Sequence, residues 1–210
     1  MKRRVLALAL ACSGLALACS NPMLPAGGAT VWVYSRVEGE RSDTYAVRRS
    51  VSESGDVTEE SAAPDTPAVQ RYRCQDGAML PEQLGLELPG LSAEVKDPQG
   101  TALPAAADWR VGSRWRYAAT LEASITGPLR LAGAGRLEVD FEVVARAPLT
   151  VAAGRFDSFR VEVTRTISGR LGLLPYRRVL RETQWYVPGV GLVRREAAGV
   201  RVELLDVRGD

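Results

Sequence analysis

The sequence predicts an all-β fold: an antiparallel meander forming a curved sheet, half-barrel or sandwich, preceded by a signal-peptide helix. Three observations carry that expectation. Apolar and polar residues alternate with a period of two along the chain, most clearly over 137–143 and 159–167. Turn pairs, Ala153-Gly154 and Pro188-Gly189, punctuate the alternating runs. Beyond the amino-terminal run, no stretch carries a long apolar stripe at the 3.6-residue spacing of a helix.

The chain opens Met1-Lys2-Arg3-Arg4 and continues into an apolar run from Val5 to Ala18, interrupted by Cys12, Ser13 and Gly14. A cationic start followed by a run of this length is the pattern of a secretory signal. It is shorter than the roughly 20 apolar residues that a spanning helix needs. Ala16-Leu17-Ala18-Cys19 resembles the bacterial lipobox, with Ala16 where Leu is commoner. Residues 1–18 are therefore expected as a lipoprotein signal peptide and Cys19 as the lipidation site, tied to the membrane through acyl chains. Several chains on one residue give stable anchoring. Ser20 after the cysteine favours the outer membrane in a cell with two membranes.

Residues 19–29 contain Pro22, Pro25, Gly27 and Gly28 and read as a flexible tether. Residues 30–208 then form a single antiparallel β domain. In the clearest strand, Leu137, Val139, Phe141 and Val143 point one way and Glu138, Asp140 and Glu142 the other. Along the next, Phe159, Val161, Val163 and Ile167 share a face opposite Arg160, Glu162, Thr164 and Thr166. Strands over 137–151 and 156–167, joined at Ala153-Gly154, make an antiparallel hairpin. Further strands are expected at 31–37, 44–52, 68–74, 115–125, 176–187, 190–196 and 200–207. The segments 53–67 and 81–108, richer in Pro, Gly and polar residues, read as loops.

Composition narrows the function. Removing residues 1–18 takes away three of the 27 cations and none of the 25 acids, leaving a chain near neutrality. No basic field remains for nucleic acid. Histidine is absent, which excludes Ser-His, Cys-His and His-metal chemistry. No nucleophile elbow, phosphate loop or dinucleotide fingerprint is present, so no catalytic residue, cofactor or metal ligand is assigned. Glu138, Asp140 and Glu142 could serve as paired acid and base, but alternating carboxylates on a strand are a solvated face. Asp76-Gly77 and Asp97-Pro98-Gln99-Gly100 read as turns rather than as cation loops. With Cys19 acylated, Cys74 has no intramolecular partner and reads as a small buried strand residue, with a reactive thiol or an intermolecular disulfide as the alternatives.

Several stretches taken in order resemble the TapB-like family of secreted bacterial proteins, which is related to domains of unknown function. They are Tyr72-Arg73-Cys74-Gln75-Asp76-Gly77, Gly100-Thr101-Ala102-Leu103-Pro104 and Gly112-Ser113-Arg114-Trp115-Arg116-Tyr117, followed by Val151 to Asp157 and Trp185 to Val193, then Glu203-Leu204-Leu205. The similarity covers about residues 30–208, with Ala152 in place of the usual proline of Val-Pro-Ala-Gly. It implies an all-β extracytoplasmic domain and brings no catalytic residue.

The expected function is a non-catalytic binding role at the cell envelope, with an apolar ligand such as a lipid. A structural or assembly factor docking on another envelope protein is the alternative, and a carboxylate-dependent hydrolase a weaker one. A lined, unfilled cavity distinguishes the first from the second, for which a flat apolar patch or an unpaired edge is the mark.

Overall fold

The computed structural model describes residues 19–63, 66–83, 85–88, 91–125, 131–171 and 174–209. The predicted signal peptide, 1–18, lies outside the described residues. Among them the chain is all-β. Its strands are β1 (Val31–Glu38), β2 (Arg41–Val51), β3 (Val57–Ala63), β4 (Thr66–Gln75), β5 (Ala78–Gln83), β6 (Gly85–Leu88), β7 (Leu91–Gly100), β8 (Arg114–Ile125), β9 (Leu131–Val151), β10 (Gly154–Leu171), β11 (Leu174–Val187), β12 (Gly191–Ala197) and β13 (Val200–Arg208). One 3-10 turn, Ala106–Asp108, interrupts the connection between β7 and β8.

The strands form one antiparallel sheet in the order β5-β4-β3-β2-β1-β13-β12-β11-β10-β9-β8-β7-β6. Every paired neighbour is consecutive in sequence except at one junction, where the first strand pairs with the last, and the consecutive strands β5 and β6 are the two ends of the order. The sheet curls until its two ends meet. Met79 of β5 bridges Leu103, just past β7, and the Ala102 amide also donates to the Met79 carbonyl at 2.9 Å. The result is a nearly closed barrel.

The backbones of β9 and β10 approach each other unusually closely at one pair of residues. Gly135 and Gly169 are direct cross-strand partners. A Cβ on Gly135 would lie 2.7 Å from the Ser168 carbonyl oxygen, and one on Gly169 would run into the Ala134 carbonyl. Only glycine lets the two backbones approach so closely.

The predicted alternation is observed. Val139 and Val161 are fully buried, Val163 nearly so, and Phe141 packs beside them. The β9–β10 hairpin turns through Ala152 and Ala153, with Gly154 opposite Val151 at φ 138°. Two hydrophobic clusters fill the interior. The larger joins β7 to β10 with Met23, Leu103 and Trp109, and the smaller joins β1, β2, β12 and β13 around Trp32, Val193 and Leu204.

Two expectations need correction. The segments 53–67 and 81–108 are not loops: they contain β3, part of β4, half of β5, and β6 and β7. In β3 the inward position after Val57 is Glu59, a charged residue that interrupts the apolar rhythm because it has a buried partner. In β5, Pro81 is tolerated because β5 is the terminal strand of the sheet. Asp97-Pro98 is a register irregularity inside β7 rather than its end.

Residues 19–29 are not a loose tether either. Asn21, Met23 and Leu24 are buried. The Asn21 side-chain amide donates to the carbonyls of Gly77 (2.7 Å) and Pro104 (2.8 Å), while its Oδ1 accepts from the Met23 amide. The Gly189 amide donates to the Pro22 carbonyl. The segment is a plug across one end of the barrel, because a single asparagine satisfies three backbone groups there and lets Met23 enter the core.

Candidate functional site

Inside the barrel is a cavity of about 430 Å³. Its floor, at the plug end, is apolar: Met23, Leu24, Leu103 and Phe141. The rest of the wall mixes hydroxyls and charges with apolar residues such as Val47, Leu137 and Val202. Five tyrosines, Tyr34, Tyr45, Tyr72, Tyr117 and Tyr186, line it from five different strands.

Two ion pairs are set into the wall. Arg49 on β2 donates from Nε to Glu59 on β3 at 2.7 Å, with its side chain 3% exposed. The guanidinium lies over the Trp32 ring, 4.3 Å from the centroid, and also reaches the Pro25 carbonyl. Burial acts to lower the Arg49 pKa, but the Glu59 carboxylate and Tyr34 outweigh it and the net shift is upward. Arg165 on β10 pairs with Glu182 on β11 at 2.8 Å. From Glu182 a polar chain continues along the inner face of β11: Gln184 donates to Glu182, and the Tyr186 hydroxyl donates to Gln184 at 2.8 Å. The Nε of Arg165 is buried without a partner.

The Tyr34 hydroxyl donates to the Leu192 carbonyl at 2.8 Å, and Tyr72 donates to Gln70. Burial holds the Tyr34, Tyr72, Tyr117 and Tyr186 phenols well toward the neutral form, raising each pKa above its ordinary value. Tyr45 is shifted the same way, against a lowering influence of the Arg195 charge. At neutral pH these are uncharged donors around a partly apolar space.

Sequence reasoning missed this wall, yet a signal was present. Arg165 falls in phase with Val161, Val163 and Ile167, the face that also carries the core. Arg49 is in phase with Tyr45 and Val47, and Glu182 and Gln184 with Tyr186. Charged residues on the apolar phase of a strand must meet partners inside, so each such residue marks a polar interior. Trp109 was also missed. It centres an aromatic cluster, 5.2 Å from Trp115, 5.6 Å from Phe159 and 5.3 Å from Tyr186, that closes the barrel beside the plug.

The carboxylates singled out from sequence lie elsewhere. Glu138, Asp140 and Glu142 face outward and pair with Arg136, Arg116 and Arg114. They form a solvated ladder on the outer wall and take no part in the cavity. The outer faces of β8 to β10 are thus charged, unlike the apolar band of a strand that faces lipid. Among the described residues, no helix is long and apolar enough to cross a membrane.

Cys74 differs from expectation. Its sulfur is bonded to that of Cys19, with the two Cα atoms 5.8 Å apart. The Gly77 amide faces the Cys19 sulfur at 3.2 Å. The turn Ser52 to Asp56 packs against Cys19 so closely that a Cβ on Gly55 (φ 90°) would strike the Cys19 carbonyl. Asp56 accepts from the Ser54 hydroxyl (2.7 Å) and the Cys74 amide (2.9 Å), and those bonds lower its pKa. A sulfur in a disulfide cannot also carry a thioether-linked lipid. In any one molecule the cross-link and acylation at Cys19 are alternatives.

No family model matches the sequence, and no curated protein does. Two solved structures resemble the fold. One is a protein from Bacteroides fragilis NCTC 9343 described as exported, with a YmcC-like fold, at 13% identity and a TM-score of 0.57. The other is a protein from Parabacteroides distasonis ATCC 8503 described as a lipoprotein, at 17% identity and a TM-score of 0.55. Each alignment covers 90% of this chain and 99% of the other. At these identities the likeness is one of fold: a β architecture of the YmcC-like kind, spanning nearly the whole of both neighbours.

Proposed function

We propose that this chain is a cell-envelope protein, anchored through lipid on Cys19, whose barrel binds a small amphipathic ligand without catalysing a reaction. One observation carries the binding reading: the cavity of about 430 Å³ at the centre of the barrel, which side chains line and do not fill. That volume is in the range of small-ligand pockets. Its apolar floor suits a hydrocarbon, and its tyrosines and arginines suit a polar head. The ligand class is thus narrower than the purely apolar one expected from sequence.

The envelope assignment draws support from the basic start, the apolar run and the lipobox-like Ala16-Leu17-Ala18-Cys19. A fold likeness to one exported protein and one lipoprotein is consistent with it. On this reading the chain is a divergent relative of the TapB-like proteins. Support for a non-catalytic role comes from the absence of histidine and from the outward, arginine-paired placement of Glu138, Asp140 and Glu142.

The alternative, docking on another envelope protein, has one observation of its own. Leu174, Tyr176 and Val179 are exposed on β11 where it extends past β12, beside Arg177 and Arg178. Native mass spectrometry of the mature chain, followed by extraction and identification of what it carries, separates the two. A co-purifying small amphiphile supports the cavity. A chain that is empty and takes up no amphiphile on titration would sink the binding reading.

A further inference from the structure

Among the described residues, the inner wall holds an arginine with no ion-pair partner. Arg49 has Glu59, Arg165 has Glu182, and Arg36 has Glu38. Arg195 on β12 lines the same cavity. Among the described residues it makes neither an ion pair nor a hydrogen bond, and its charge is felt by the Tyr45 phenol. Arg195 is not on the outer face by register. It is the cross-strand partner of Val202 on one side and Gln184 on the other, and both are buried. Its position in that row aims the side chain inward.

Arg36 belongs to the same row. It is the partner of Val202 from the opposite side of β13. The two arginines therefore rise from strands two apart, about 10 Å between backbones, with a small aliphatic residue between them. Side chains of that length can converge on one group above Val202. The row also lies at a telling depth. Moving along β1 from Arg36 toward the plug, the next inward residues are Tyr34 and Trp32, and the Trp32 indole donates to the Val190 carbonyl in the turn that meets Pro22. Toward the plug lie Met23, Leu103 and the Arg49–Glu59 pair, whose charges already match, and the cation without an ion-pair partner lies away from it.

We propose that Arg195, assisted by Arg36, receives an anionic head group, a carboxylate or a phosphate monoester, on an amphiphile whose hydrocarbon points toward Met23 and Leu103. The proposal rests on the reading of the cavity as a binding site. Guanidinium forks match both anions in two-point geometry. A cation half-withdrawn from water with no protein partner gains most from such a ligand, because its desolvation is already incurred.

The test uses residues 19–210, which include every strand, and three probes of one chain length: dodecanoate, dodecyl phosphate and dodecanol, each titrated calorimetrically below its aggregation threshold. At least one anion is expected to bind about tenfold or more tightly than dodecanol, the worth of a charged hydrogen bond. Which anion wins distinguishes carboxylate from phosphate. Arg195→Met should bring the anions down to the level of dodecanol and leave dodecanol unchanged. Arg195→Lys, which keeps charge without the fork, should fall between and covers the case in which the Met variant folds poorly. Equal affinity for all three probes, or a preference that survives Arg195→Met in a folded chain, overturns the head-group assignment while leaving the cavity reading intact. Failure of every probe to bind overturns both.

Discussion

Met79 and Leu103 join the two ends of the sheet: the Met79 amide donates to the Leu103 carbonyl at 2.8 Å, and the Leu103 amide returns a bond to the Met79 carbonyl at 3.2 Å. Both side chains are buried, at 1% and 5% exposure, so the seam is packed as well as hydrogen-bonded. Met79→Ala should cost about 2–5 kcal/mol, the range for emptying a core site. Urea denaturation measures it. A loss well under about 1 kcal/mol would mean that the ends of the sheet are not held together there.

The Arg49–Glu59 pair gives a second expectation. Glu59→Ala leaves a buried guanidinium without its carboxylate and should cost about 3 kcal/mol, the lower end for a broken buried pair because Glu59 keeps some solvent contact. Replacing both with apolar residues, Arg49→Met with Glu59→Leu, should recover most of that loss. A double-mutant cycle reads the coupling directly, and additive losses would show that the pair does not act as a unit.

Alkaline pH should unfold the barrel. Burial raises the pKa of Tyr34, Tyr45, Tyr72, Tyr117 and Tyr186 above 10.0. In the unfolded chain these phenols lose their protons near pH 10, while the folded chain keeps them. Above that pH the unfolded state binds fewer protons than the native state, so stability falls as pH rises. Below it these groups add no pH dependence. Denaturation midpoints measured across the alkaline range should drop above about pH 10, with phenolate absorbance appearing together with unfolding. Phenolate absorbance complete before any loss of structure would contradict the burial.

Maturation can be settled by mass. Protein taken from the membrane fraction should begin at Cys19 and carry a diacylglyceryl adduct, with the Cys74 thiol open to alkylation. The structure's cross-link predicts the opposite pattern: an unmodified Cys19 and no free thiol until a reductant is added. Cys19→Ala should abolish membrane association if the lipid form is the cellular one.

The part of the fold legible in the sequence was the part where burial and polarity agree. Val139, Phe141, Val161 and Val163 alternate with charged residues that reach water, and both the strands and the turn after Val151 follow from that. Glu59 and Arg165 were overlooked for the converse reason. Each occupies an inward position with a charge, and its partner, Arg49 or Glu182, lies on another strand. Period-two reading treats such a residue as a break. Asn21 and Met23 were hidden by their neighbours: two prolines and two glycines look like a loose segment until Gly77 and Pro104 supply carbonyls for the Asn21 amide. The close approach of β9 and β10 at Gly135 and Gly169 is likewise a contact between strands that no single stretch of sequence reveals.

The strand order sets a schedule for assembly. Because β1 takes β13 as its neighbour, the pairing Trp32 with Val207 and Arg36 with Val202 cannot form until the carboxy-terminal end of the chain has been made. Everything from β1 to β5 is a run of local hairpins with one edge left open, and β6 to β13 is a second such run. A chain emerging amino-terminus first must keep the β1 edge from foreign strands until its own last strand arrives. Contacts so distant along the chain also slow folding. That interval is the one in which a chaperone would matter most, and loss of β13 would leave both halves with open edges at once.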